Sequence, residues 1–296
     1  MFKLKTIFML FVVLTTSIVH ADYSNFCVNM PLSSNDATNV SKGVPTKQPA
    51  AKAFPVPDSA DKTSSFYFVE RISPANYHIT LEHFKGKEKA DMFNDDDFVK
   101  IKGFAEGFKS QSTNMSPLGY QGKAAELLLF VYYKGIDGRK TCLTLKEDNL
   151  CQIDTLPEIY YANLVLCTDH DVNLGSDWGS YALNSKQDPY FGKYALRRYP
   201  FVPHITIANV FKYSNRAYHI IQEGHNLVIK NKKHPDVRAK TTAFTPAEFG
   251  YLKTFFNDVN AHFKSKAKPS ITLSHLKVTT KINKNVRILR NIDLLN

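Results

Sequence analysis

The chain has 296 residues, 38 basic against 27 acidic, a formal charge of +11 and a pI of about 9.3. That balance suits an anionic partner, phosphate-bearing ligands first, over a basic or neutral one. No CxxC or HxxxH spacing supports a zinc site, and no apolar stretch reaches the roughly 20 residues that a membrane-spanning helix needs.

Lys3 and Lys5, the apolar run from Ile7 to Val19 and the small-residue site Val19-His20-Ala21 read as a secretory signal over residues 1–21, with an uncleaved anchor as the alternative. Cleavage takes the formal charge from +11 to +9 by removing those two lysines. The expectation is an exported protein, periplasmic or secreted, with no membrane attachment after cleavage and a monomer favoured. Residues 22–65 are rich in Ser, Pro, Asn and Lys, punctuated by Pro45, Pro49, Pro55 and Pro57. They read as a flexible leader with little capacity to bury a core. Cys27, Cys142, Cys151 and Cys167 make an even count in an exported chain, which predicts two disulfides among three pairings. Cys142–Cys151 pinning a hairpin and Cys27–Cys167 tying the leader to the body form one such set.

The body begins at Phe66, whose run to Ile72 is aromatic and β-branched and predicts a strand. A turn over Ser73-Pro74-Ala75-Asn76 leads into a second strand, His78-Ile79-Thr80-Leu81. Phe98, Ile101, Phe104, Ala105 and Phe108 predict a helix from about Asp95 to Lys109. Strands follow at Ala125–Tyr133, Thr141–Leu145 and Tyr160–Cys167, the first two joined by the hairpin signal Asp137-Gly138. Phe201-Val202-Pro203 introduces His204-Ile205-Thr206-Ile207. A capping box at Thr245-Pro246-Ala247-Glu248 opens a helix with an apolar stripe through Phe249, Leu252, Phe256, Val259 and Phe263. Ile271–Thr279 and Asn285–Leu289 close the chain as strands. The order β, β-His, α, several β, then β-His, α, β, β reads as an internal duplication in a mixed α and β fold with mainly antiparallel sheets.

The two tetrapeptides carry the chemistry. In a strand, residues i and i+2 share a face, so His78 and Thr80 point one way while Ile79 and Leu81 point the other; the same holds for His204 and Thr206 against Ile205 and Ile207. Histidine accepts or donates a proton near neutrality, so a pair can serve as base and acid on opposite sides of a phosphorus. Threonine hydroxyls suit the equatorial oxygens that carry charge in the transition state. The scheme calls for no cofactor. His83, five residues after His78, is expected on the opposite face of a continued strand, as a structural residue. Arg197 and Arg198 lie nearest a motif among the cations and are candidates for electrostatic help.

Asn76-Tyr77-His78-Ile79-Thr80-Leu81-Glu82-His83-Phe84 and Phe201-Val202-Pro203-His204-Ile205-Thr206-Ile207 resemble the two motifs of the two-histidine (2H) phosphoesterases, which include RNA 2′,3′-cyclic phosphodiesterases and 2′-5′ RNA ligases. The resemblance implies an α+β, bilobal, duplicated domain over residues 66–296, each lobe an antiparallel sheet with outer helices around a central cleft. It implies His78 and His204 as the acid/base pair, with His204 as base and His78 as acid in one reaction direction and the roles exchanged in the other, Thr80 and Thr206 as phosphate ligands, and a nucleotide or RNA with a cyclic phosphate as substrate. The motifs stand 126 residues apart by their numbering, longer than compact members of that family lead one to expect. The excess is assigned to an insertion between about 133 and 199 that would cover the cleft. The competing reading keeps the fold and grips a phosphate or nucleic acid without turnover.

Overall fold

The computed structural model describes residues 23–43, 51–53, 65–85, 93–112, 114–135, 138–143, 158–169, 173–196, 201–214, 216–223, 226–244, 256–257, 259–282 and 285–295. The predicted signal segment, Cys151, Arg197, Arg198 and the capping box at Thr245 lie outside these residues. The strands are β1 (Asn25–Pro31), β2 (Ala51–Ala53), β3 (Ser65–Arg71), β4 (His78–Lys85), β5 (Tyr120–Gly135), β6 (Gly138–Leu143), β7 (Ile159–Thr168), β8 (His204–Ser214), β9 (Tyr218–Glu223), β10 (Asn226–Asn231), β11 (Ser270–Leu273), β12 (His275–Ile282) and β13 (Asn285–Asp293). The helices with described bounds are α1 (Ser34–Gly43), α2 (Asp95–Gln111), α3 (Leu174–Ser185) and α4 (Pro189–Tyr194), and residues 256–257 and 259–264, within the helix expected after Thr245, are helical too, with Val259 and Phe263 buried.

Eleven strands form one sheet of order β11-β5-β7-β8-β4-β1-β12-β13, with β3 on β8, β2 on β3 and β6 on β5; β9 and β10 form a separate hairpin. Each pairing in it is antiparallel. This is the α+β, antiparallel fold that the sequence predicts. Its halves are two wings of a continuous sheet: β4 and β8 meet at one pair, Ile79 opposite Ile205.

The helices cover one face. Phe104 and Phe108 of α2, Trp178 and Ala182 of α3, and Ala37 and Val40 of α1 share a core with Ile79, Leu81, Ile205, Ile207, Leu127, Leu129, Leu164 and Leu166 from the strands. Asn94 caps α2 with a reciprocal box to Asp97, and three aspartates follow in its first turn where the helix dipole favours them. Gly107 sits where Tyr181 crosses α2: a β-carbon there would lie 2.6 Å from the Tyr181 hydroxyl, which donates to Phe104 O at 2.5 Å.

Three expectations are corrected. Residues 25–43 are no leader: β1 lies between β4 and β12, and Phe26, Val28 and Met30 are wholly buried, because Phe-Cys-Val-Asn-Met alternates apolar with small or polar residues at the period of a strand. Much of the stretch assigned to an insertion is equally integral. β7 runs between β5 and β8, and α3 supplies the buried Trp178. The predicted strand Ile271–Thr279 is two strands broken at Ser274, β11 joining β5 in one wing and β12 joining β1 in the other.

The Cys27–Cys167 bridge of that set is also absent. β1 and β7 are three strand spacings apart in the sheet, roughly 14 Å, against the 4.4–6.8 Å between α-carbons that a disulfide spans. Burial, with Glu126 nearby, pushes the Cys167 thiol up to about 12, so it stays protonated. Cys142 lies in β6.

Trp178 ties the helical layer to the first histidine strand: its indole N–H donates to Leu81 O at 3.0 Å from a site without solvent exposure. Trp178→Phe keeps most of the apolar contact and strands that carbonyl. Urea unfolding of the variant is expected to show a loss of about 1–3 kcal/mol.

Candidate active site

His78 and Thr80 flank Ile79 on β4, and His204 and Thr206 flank Ile205 on β8. Because Ile79 and Ile205 are antiparallel partners, one step along each strand sets His78 towards Thr206 and Thr80 towards His204. All four belong to the face opposite the helical core, half-buried, while the four alternating apolar residues are buried beneath. The two histidine α-carbons are then about 8–9 Å apart, two residues along and one strand across. The register therefore brings together the four predicted site residues.

The local construction is repeated. His78 Nδ1 lies 2.7 Å from Asn76 O, and His204 Nδ1 lies 2.8 Å from Val202 O, in each case the carbonyl two residues earlier. A carbonyl only accepts, so each Nδ1 carries the proton and each Nε2 is the atom with the exchangeable lone pair. Both strands bulge at the fourth motif position. Asn29 faces Thr80 and Val28 faces Glu82, passing over Leu81; Val165 faces Thr206 and Leu164 faces Ala208, passing over Ile207. The two burial patterns match from the histidine for seven residues.

The bulge overturns the placement of His83. Leu81 and Glu82 both turn towards the helices, which returns His83 to the face of His78 and Thr80, as Asn209 returns to that of His204. Glu82 is buried and satisfied by Lys186 at 3.5 Å and by the His83 N–H at 3.1 Å.

β1 and β12 extend the face beyond β4. Thr80, Asn29 and Lys277 occupy one row across the three strands. The Asn29 amide donates to the Thr279 hydroxyl at 3.1 Å. Burial lowers the His78 pKa from the ordinary 6.5; the bond to Asn76 raises it and the Lys277 ammonium lowers it further, leaving His78 neutral at rest. Lys277 and Asn29 were not singled out from the sequence, because placing them needs β1 to be in the sheet.

On the other side, the ring of Phe130 stacks on His204 at 5.5 Å and 18°. Leu128, Val165 and Cys167 form a small apolar cluster there with Phe130 and Val202. Asp169 of the Asp169-His170-Asp171 segment accepts from the Lys123 N–H at 3.0 Å, and among the described residues no group of three His, Cys, Asp or Glu is placed to hold a metal ion. Lys230 pairs with Glu223 across the β9–β10 hairpin at 3.0 Å.

No protein-family model matches the chain, and no curated protein matches it. One solved structure, described as the crystal structure of a phosphoesterase, is similar over 93% of this chain and 99% of its own, with 10% identity and a TM-score of 0.36.

Proposed function

We propose that the chain is a phosphodiesterase that opens a cyclic phosphate on a nucleotide or RNA end by histidine acid–base catalysis, without a metal. The observation that carries this reading is the antiparallel pair Ile79–Ile205, which sets two identically tethered histidines and two threonines on one face. His204 Nε2 removes a proton from water as the water oxygen bonds to phosphorus. The bond to the ribose oxygen breaks, and the proton on His78 Nε2 passes to that oxygen, leaving a phosphomonoester. The Thr80 and Thr206 hydroxyls donate to the equatorial oxygens, and Lys277 attracts the anion. His78 is neutral in the empty site, so its proton arrives with the substrate: a phosphate anion beside Nε2 raises its affinity for one. Proton exchange between the two histidines and solvent restores the starting state.

Mature protein incubated in EDTA with 2′,3′-cyclic nucleotides and cyclic-phosphate-ended RNA is expected to release phosphomonoesters. Binding without turnover would replace the enzyme with the binding-module reading. Export by cleavage of residues 1–21 is part of the proposal and is read from the N-terminal sequence of the protein recovered outside the cytoplasm.

The His78 environment has its own test. Its imidazole, followed by NMR, is expected to titrate below 6.5, and Lys277→Met is expected to raise that value and to lower kcat/KM about tenfold by removing one charge-assisted contact. The sign for stability follows. A folded-state pKa below the unfolded one penalises the protonated form, so this group costs nothing above pH 6.5 and destabilises the fold as pH falls below it.

A further inference from the structure

The face that holds His204 continues as a strip of aromatic rings. By register, Phe130 and Tyr132 of β5, Tyr161 of β7 and Phe211 of β8 share the side of the sheet that carries His204 and Thr206, since Cys167 faces His204, Val165 faces Thr206, Leu128 faces Val165 and Tyr132 faces Tyr161. The rings follow one another: His204 to Phe130 at 5.5 Å, Phe130 to Tyr132 at 5.1 Å, Tyr132 to Tyr161 at 4.1 Å and 18°, and Tyr161 to Phe211 at 5.7 Å. All four are half-buried and stand apart from the main core, whose residues on the same strands (Leu127, Leu129, Val131, Ala162, Leu164 and Val210) point to the helices. Packing against the helices therefore does not account for them; on their own face Phe211 borders the apolar cluster of Phe66, Phe68, Tyr213 and Tyr218, and Phe130 borders that of Leu128, Val165 and Cys167.

We propose that this strip is a stacking platform for unpaired bases, and that the substrate is a single-stranded oligonucleotide whose reacting phosphate lies at the histidines while neighbouring bases lie on the rings. The inference rests on the phosphodiesterase reading for the position of the phosphate. Three features select this occupant. The strip begins in ring contact with one of the two histidines, so a ligand held there by its phosphate presents its base to Phe130. The rings form two rows, Phe130 and then Tyr132 with Tyr161, about 7 Å apart along the strands, which gives room for more than one base. The chain is strongly basic, which suits a polyanion. Flat sheet faces bearing aromatic rings bind single strands because every base has a π-face, whatever the sequence.

The test compares 2′,3′-cyclic nucleotide with cyclic-phosphate-ended oligonucleotides of two to six residues. Wild type is expected to gain roughly tenfold in kcat/KM for each of the first one or two added residues. Tyr161→Leu and Phe211→Leu are expected to lose that gain while turning over the mononucleotide at the wild-type rate; Tyr161→Phe is expected to retain it. No gain with length in wild type, or an undiminished gain in both leucine variants, overturns the platform. Binding of a fluorescent single-stranded RNA ending in a 3′-phosphate, measured by anisotropy, separates this from the chemistry. If turnover is absent throughout yet the leucine variants lose about tenfold in RNA affinity, the platform stands and the phosphodiesterase reading fails. Equal affinity of wild type and both variants for this RNA overturns the platform whatever the turnover.

Discussion

His78→Ala and His204→Ala are each expected to lower turnover of a 2′,3′-cyclic phosphate by about 10²–10⁴-fold, the range of one positioned acid or base. The fold is expected to survive, because both imidazoles lie on the open face and neither belongs to the core. The two act in one displacement, so the double variant is expected to lose little more than the worse single one. Thr80→Val and Thr206→Val keep the shape of the side chain and remove the hydroxyl, with an expected loss of about 10²-fold; serine at either position is expected to restore most of it. The measurement is initial rate in EDTA, with circular dichroism as the check on folding. Undiminished turnover in either histidine variant removes the mechanism.

Deleting residues 22–43 is expected to abolish folding. β1 pairs on one edge with β4 and on the other with β12, so the deletion strips both neighbours of a ladder of hydrogen bonds and opens the sheet beside His78. It also removes three fully buried side chains, Phe26, Val28 and Met30, at roughly 1.5–3 kcal/mol each, together with Ala37 and Val40 of α1. That loss approaches the whole stability of an ordinary domain. The milder Val28→Asp places a charge in the core and is expected to cost more than 3 kcal/mol. A chain lacking 22–43 that remains soluble and melts cooperatively would restore the flexible-leader expectation.

The shared strand face of each histidine and its threonine was legible because the signal is local: residues two apart need only strand periodicity to share a face. The helix of Asp95–Gln111 and the strands around Asp137-Gly138 were legible for the same reason. Pairing across the sheet was not. Ser274, which divides one apparent strand between two wings, differs little in composition from its neighbours, and only the partners of β11 and β12 give it meaning. The bulges that bring His83 and Asn209 to the open face leave the apolar pattern nearly intact, so simple alternation misplaces His83. Residues 25–31 carry the same period-two signal. Their alternation was visible, but the prolines from Pro45 onward set the character of the whole segment.

The position of β1 also fixes an order of assembly. Its Asn29 meets Thr279 some 250 residues later in the chain, so the wing carrying His78 cannot close until the final strands exist. Pairing over such separations is slow, because the loop must be closed before any contact rewards it. The part of the sheet beside His78 is therefore completed only once β12 has been made.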